Sequence, residues 1–296
     1  MSTPQPSAPQ PPAPQHAPQP PAPQHAPQQP APHWQPAPGP SSYTSPIPVV
    51  RTHLGHAIAS EWTKIRSVRS TMWTLGVFLL LVVGIGFLVA LQTTDLDYRD
   101  TPYTIPALFG LILGQICLIT LGVLVVSSEY GTGMIRTTFT ASPQRHRVLA
   151  AKLIIFFAVA FVVSALAIGV VGLFSAGLHS GAGGAPWGGT VVIGALYVSL
   201  LGVLALAVGS MLRHSAGAIT TMLGVVLVPA ILPAFLLISE SLRPVAEKVL
   251  EYNAINSLAA VFDVGGDGGG RQLAVLAVIT AAAIAGAFAL LDRRDV

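Results

Sequence analysis

The residues with most to offer chemically lie in one polar stretch, 127–152, SSEYGTGMIRTTFTASPQRHRVLAAK. Within it Met134, Ile135 and Phe139 offer an apolar contact, and Glu129, Arg136 and Arg145 offer charged ones. That is the chemistry of recognition, not of catalysis. Elsewhere the sequence has no GxxxxGKS/T phosphate loop, no HExxH, no paired CxxC and no GxSxG, so a self-contained ATPase, zinc protease or serine hydrolase has no support. The chain is expected not to be an enzyme and to hold no metal or cofactor of its own. Cys117, the one cysteine, sits inside an apolar run, which excludes an intrachain disulfide and reads as a small buried hydrophobe.

The stretch is set between runs that are apolar and free of charge, 105–126 before it and 153–174 after it. Each is long enough to cross about 30 Å of hydrocarbon as a helix. Four more runs of this kind follow the same pattern, at 72–91, 191–212, 216–238 and 273–291. Only 9% of the residues are charged and 52% are hydrophobic, with a mean hydropathy of +0.66. An ordinary soluble domain is roughly 25% charged, so the sequence predicts an all-α polytopic membrane protein with six spans. A net charge of +3 and a pI near 9.2 do not point to nucleic acid, because the cations lie beside apolar runs and form no basic face.

Those cations orient the chain. With 127–152 on the inside, only Arg99, Arg243, Lys248 and Arg271 of the 15 Lys and Arg residues fall outside. The positive-inside rule then makes the stretch cytoplasmic and puts both termini in the cytoplasm; the plasma membrane is the expected location.

Residues 1–50 carry no Asp, Glu, Lys or Arg, and PPAPQHAPQ at 11–19 repeats at 20–28. Such a segment cannot bury a core and predicts a disordered cytoplasmic tail of polyproline character, a linker or a docking site. His16, His25 and His33 are too widely spaced on it to make a convincing metal tract. No cleaved signal peptide is expected. Residues 51–70, RTHLGHAIASEWTKIRSVRS, recur differently: Leu54, Ile58, Trp62 and Ile65 share one helical face, with Ser60, Lys64 and Ser67 opposite. This predicts an amphipathic helix in the headgroup layer, or packed on a partner. The membrane domain proper is then 71–296.

Local signals set further expectations. Gly131 and Gly133 should interrupt the second span, 134–140 should form a short helix, and Ser142 with Pro143 should cap and start the third span. A short helix projecting from two spans is a lever. Arg213, His214 and Ser215 leave room only for a tight turn between the fourth and fifth spans. Pro229 and Pro233 should bend or unwind the fifth, which matters if that helix gates a cavity. Gly110 and Gly114 form a GxxxG for close helix approach. In the outer connection 239–272, a short amphipathic helix over 244–252 precedes the apolar 253–262, which either dips back into the membrane or forms a surface loop before GGDGGG at 265–270. The spans hold uncharged polar groups only; Gln115 and Thr120 are the candidates for a substrate path, although a Thr more often bonds its own helix.

The two stretches SEWTKIRSVRSTMW (60–73) and 127–152 resemble the permease subunit of type-2 ATP-binding cassette exporters, in their actinobacterial branch. The resemblance extends from about Leu54 to the C-terminus and leaves the tail aside. It implies that Glu61, Trp62, Lys64 and Arg69 belong to a connecting helix. It also implies that Glu129, Gly131, Gly133, Pro143, Arg145 and Lys152 flank a coupling helix that docks on a separate ATPase subunit, which would hold ATP and Mg. A dimer with a second permease copy or paralogue is implied, with an unidentified, hydrophobic substrate passing between the halves. The readings that do not use the resemblance are an ATP-independent transporter or channel, and a membrane scaffold that recruits partners through the tail.

Overall fold

The computed structural model describes residues 53–95, 98, 100–141, 144–179, 187–262 and 269–293. The tail 1–50 and Pro143 lie outside the described residues, as does most of the glycine run 265–270. Among the described residues there are helices and no strands. Six of the helices are long and apolar enough to cross a membrane: α2 (Arg69–Gln92), α3 (Ile105–Gly131), α5 (Arg145–Leu178), α6 (Gly188–Leu212), α7 (Ser215–Leu236) and α10 (Gly270–Arg293). Their 22 to 34 residues give lengths of roughly 33 to 51 Å at about 1.5 Å per residue, more than the hydrocarbon thickness. Outward-facing Trp73, Leu80, Leu173 and Ile238 are well exposed, which suits lipid as the solvent. The chain is a multi-pass membrane protein.

α3 and α6 form the centre, and the rest pack around them. Lipid tails are as apolar as the side chains, so the helices associate by close packing, which favours small residues. Gly110 meets α2 so closely that an added Cβ would lie 2.6 Å from Val82 Cα. Farther along α3, an added Cβ on Gly122 would collide with the carbonyl oxygen of Gly202 on α6, and one on Gly209 of α6 would lie 3.1 Å from Val123 Cα. The GxxxG of α3 is thus spent within the chain, against α2.

Four short α-helices complete this bundle at the ends. α1 (Leu54–Ser67) leads into α2, and α4 (Met134–Ala141) lies between α3 and α5. At the opposite end are α8 (Arg243–Tyr252) and α9 (Ala254–Val261). The apolar 253–262 segment is covered by protein: Leu258 and Phe262 are fully buried, and Tyr197 donates to the Ala254 carbonyl at 3.2 Å. Asn253 caps α9, its Oδ1 accepting from the N–H groups of Ile255 and Asn256. The tight turn after α6 is also present, with Arg213 in the left-handed region at φ 55° and His214 Nδ1 accepting from the Gly217 N–H.

Several expectations need correction. The 127–152 stretch is mostly helix, because α3 continues to Gly131 and α5 starts at Arg145; hydrogen bonding along a helix does not stop where the apolar residues do. The residue before α5 is Gln144, which makes no side-chain cap; Ser142, expected with Pro143 to start that helix, lies outside the described residues. α7 runs unbroken through Pro229 and Pro233 to Leu236 and is not unwound. The sequence did not say which side of α1 meets the bundle: Glu61 and Ile65 are buried against it, while Leu54 and Trp62 are exposed.

Candidate functional site

α4 is held by two apolar side chains and leaves the rest of its surface bare. Gly133, at φ 73°, reverses the chain after α3, a conformation open to glycine at no steric cost. Ile135 is buried, and with the half-buried Phe139 it faces Val126, Val148, Leu149 and Leu291 across a narrow crevice. The Arg145 guanidinium lies 5.4 Å from the Phe139 ring, and that of Arg213 lies 5.0 Å from Tyr130, both within cation–π range. Met134, Arg136, Thr137 and Thr140 are exposed, and Met134 and Thr137 line an open cleft between α4 and α1. Of the apolar residues expected to contact a partner, Met134 is therefore presented and Ile135 is not. Gly131 is exposed at the end of α3.

Glu129 does not face outward either. It is part of a buried quartet with Glu61, Lys64 and Lys152, which ties α1, α3 and α5 together just behind α4. Lys152 Nζ donates to Glu61 Oε2 at 2.8 Å and to Glu129 Oε1 at 2.6 Å. Its third direction points to the Val125 carbonyl at 3.5 Å. Lys64 Nζ bridges the same carboxylates, at 2.8 Å to Glu61 Oε1 and 2.9 Å to Glu129 Oε1. The side chains of Lys152, Glu61 and Glu129 are 3%, 5% and 7% exposed, and that of Lys64 is 28% exposed. Two lysines and two glutamates cancel, so the quartet is neutral as a unit while each member depends on the others. Burial works against the charge on Lys64, but hydrogen bonds and attraction from Glu61 and Glu129 outweigh it and hold the ammonium above its ordinary value.

Sequence reasoning named Glu61, Lys64, Glu129 and Lys152 in two separate stretches and did not bring them together. The available signal was the presence of acids on the cation-rich side: Glu61 and Glu129 flank apolar spans, where a charge needs an opposite partner. Lys152 is the member that sequence reasoning valued least and the structure buries most. Nothing in the quartet resembles a nucleophile with its base. What it can do is mechanical, coupling the movement of α4 and the end of α3 to α1 and α5.

The other sequence-selected residues are elsewhere. Trp62 and Arg69 are exposed, with the Arg66 guanidinium 5.9 Å from the Trp62 ring. Gln115 is buried in the core of α3, donating to the Ile112 carbonyl, with its Oε1 unpartnered. Thr120 donates to the Ile116 carbonyl of its own helix at 2.8 Å. Pro229 is half-buried and Pro233 buried, both on α7. The structure does not bring these four together with the quartet. Among the described residues no group of three His, Cys, Asp or Glu side chains is arranged to hold a metal ion.

Compared with known proteins, the chain matches no family model, no curated protein and no solved structure.

Proposed function

We propose that this chain is the permease subunit of an ATP-binding cassette exporter, driven by a separate ATPase subunit that binds ATP and Mg and docks on α4. One observation carries the reading. α4 is anchored by Ile135 and Phe139, exposes Met134 and Arg136, and follows directly on the end of α3, where a neutral ionic joint links α1, α3 and α5. A push on α4 therefore reaches three helices without any charge having to move alone. Such a joint suits a protein with two arrangements whose populations a nucleotide-dependent partner biases. The lack of a phosphate loop in the sequence makes the energy source a second polypeptide.

The same reading makes the α4 end cytoplasmic, along with both termini, in the plasma membrane. Lys64, Arg66, Arg69, Arg136, Arg145 and Arg147 all belong to that end. A second permease copy or paralogue completes the route, and its apolar walls fit a hydrophobic substrate.

The test is co-purification. A P-loop ATPase from the same cells should accompany the full chain in a fixed ratio, and Met134→Glu with Arg136→Glu should release it while the permease stays folded. Deletion of residues 1–50 should leave it bound. Retention by the doubly altered protein, or ion flux through the purified permease alone in vesicles, would overturn the proposal; loss of partners on deletion of the tail would favour a scaffold.

A further inference from the structure

At the end of the bundle opposite α4, His179 follows the last residue of α5 and reaches across to the end of α2. Both of its ring nitrogens face carbonyl oxygens. Nδ1 lies 2.8 Å from that of Ser175, in the last turn of α5, and Nε2 lies 2.9 Å from that of Thr93, the residue after α2. The Ser175 carbonyl also accepts the backbone N–H of His179 at 3.1 Å, which uses one of its two lone pairs and leaves the other for the ring. A carbonyl oxygen only accepts. A neutral imidazole has one N–H and one bare nitrogen, whereas an imidazolium has two N–H groups. In the neutral ring one nitrogen lone pair would be pressed against a carbonyl lone pair, so only the protonated ring satisfies both contacts.

The surroundings suit a cation. Carbonyls at the end of a helix carry the negative end of its dipole, and here two helix ends converge on one ring. The Tyr98 ring lies 4.2 Å from the His179 ring and that of Tyr103 lies 6.3 Å away, the first within cation–π range. Tyr98 is itself tied to α2, its hydroxyl 3.0 Å from Thr93 Oγ1. His179 is only 8% exposed, so a charge there depends on these groups more than on water. Among the described residues no carboxylate pairs with it: Asp95 and Asp100, on the connection after α2, are exposed, and α3 and α6 bring no charged side chain to this end. Asp97 and Arg99 lie outside the described residues.

We propose that His179 is a proton-operated clasp between the ends of α2 and α5. Toward the middle of the membrane the same two helices are joined by apolar contact, with Phe87 stacked on Phe174 at 4.0 Å and Gly86 packed against Val171. His179 continues that seam to its outer edge with a polar contact whose strength depends on one proton. Once the ring is neutral it keeps one carbonyl and releases the other. Fastening therefore takes up a proton, so the fastened arrangement gains as the pH falls and loses as the pH rises. Histidine is the side chain that changes charge across the physiological range, which makes the aqueous phase at this end of the molecule the controlling one. The inference uses neither the motor nor the substrate, and it stands whether or not an ATPase docks on α4.

Two measurements on the full chain in lipid nanodiscs test it, at about pH 5.5 and about pH 8.5, on either side of the usual histidine transition. The first is nitrogen NMR of labelled histidine. At the lower pH one ring that is shielded from solvent should show two protonated nitrogens, and its signals should be missing from His179→Gln. The second is the distance between spin labels at Leu91→Cys and Leu178→Cys, exposed positions on α2 and α5, with Cys117→Ser. One narrow distribution is expected at the lower pH, with a longer component growing roughly tenfold at the higher pH, the loss of one hydrogen bond to a charged group. His179→Lys, cationic at both pH values, should stay narrow, and His179→Gln should show no pH dependence. If His179→Gln does not fold, a chain that keeps only His179 of the eight histidines isolates its signals. A neutral His179 ring at the lower pH, a distance that does not change with pH, or the same change in His179→Gln would overturn the inference.

Discussion

Replacing Lys152 by Met removes the cation held between Glu61 at 2.8 Å and Glu129 at 2.6 Å. Methionine keeps most of the aliphatic stem, so the change is electrostatic before it is steric. Lys64 remains, but it reaches only Oε1 of each carboxylate, and Glu61 Oε2 loses its partner. Glu129 Oε2 is already sealed from water without one. Leaving a buried charge without its counterion costs about 3–5 kcal/mol. For a domain of this size each kcal/mol moves the unfolding midpoint by about 2–4 °C, so the midpoint should fall by about 6–20 °C. The assay is thermal unfolding in detergent of the natural chain, Lys152→Met, Glu129→Gln and the double variant. The double variant should be less destabilised than the sum of the singles by about 0.5–3 kcal/mol, because it restores charge balance. A shift under about 2 °C for Lys152→Met, or strict additivity, would refute the quartet as an electrostatic joint.

Gly110→Ala should destabilise by about 1–3 kcal/mol, since the new Cβ meets the backbone of Val82 at 2.6 Å and that backbone cannot step aside. Gly224→Ala has nothing within 4 Å and should be neutral or gain about 0.5–1 kcal/mol; the same unfolding assay separates the two. The pH dependence of Lys64 has a definite sign. Burial pulls its pKa down, but Glu61 and Glu129 more than reverse this, so its folded value lies above the ordinary 10.5. Its contribution is therefore complete below 10.5 and is lost as the pH rises through the folded value. The stability gap between the natural chain and Lys64→Met should stay constant at lower pH and close only above 10.5; a gap that closes between about pH 6 and 9 would count against the assignment.

The spans were readable because a run of about 20 uncharged apolar residues has few alternatives to crossing a membrane. What hydropathy could not give was where each helix ends. The third apolar run begins at Leu153 but α5 starts at Arg145, which puts Lys152 on the helix ahead of that run, and this placement aims its ammonium at Glu61 and Glu129. The facing of α1 was legible only in part. Its periodicity put Leu54, Ile58, Trp62 and Ile65 on one face for the headgroup layer or a partner, but did not say which side meets the bundle, because a helix beside a membrane has two apolar neighbours, lipid and protein. Trp62 takes the first and Ile65 the second, and the charged pair Glu61 and Lys64 turns toward the bundle because its counterions are there.

That facing bears on how force would pass through the molecule. An apolar interface between α1 and the bundle could slide at small cost, since one methyl contact replaces another. An interface made of four alternating charges has a single register: displacing α1 by one turn, about 5.4 Å, would separate ammonium groups from carboxylates that now lie 2.6–2.9 Å apart. The quartet therefore makes α1, the end of α3 and the start of α5 move together or not at all. Beside the joint, Gly133 connects α3 to α4, and Ile135 and Phe139 are the apolar side chains that seat the short helix. A stiff triad behind a loosely seated helix turns a local push into a rigid-body displacement, and it places the compliant element at the surface where a partner would act.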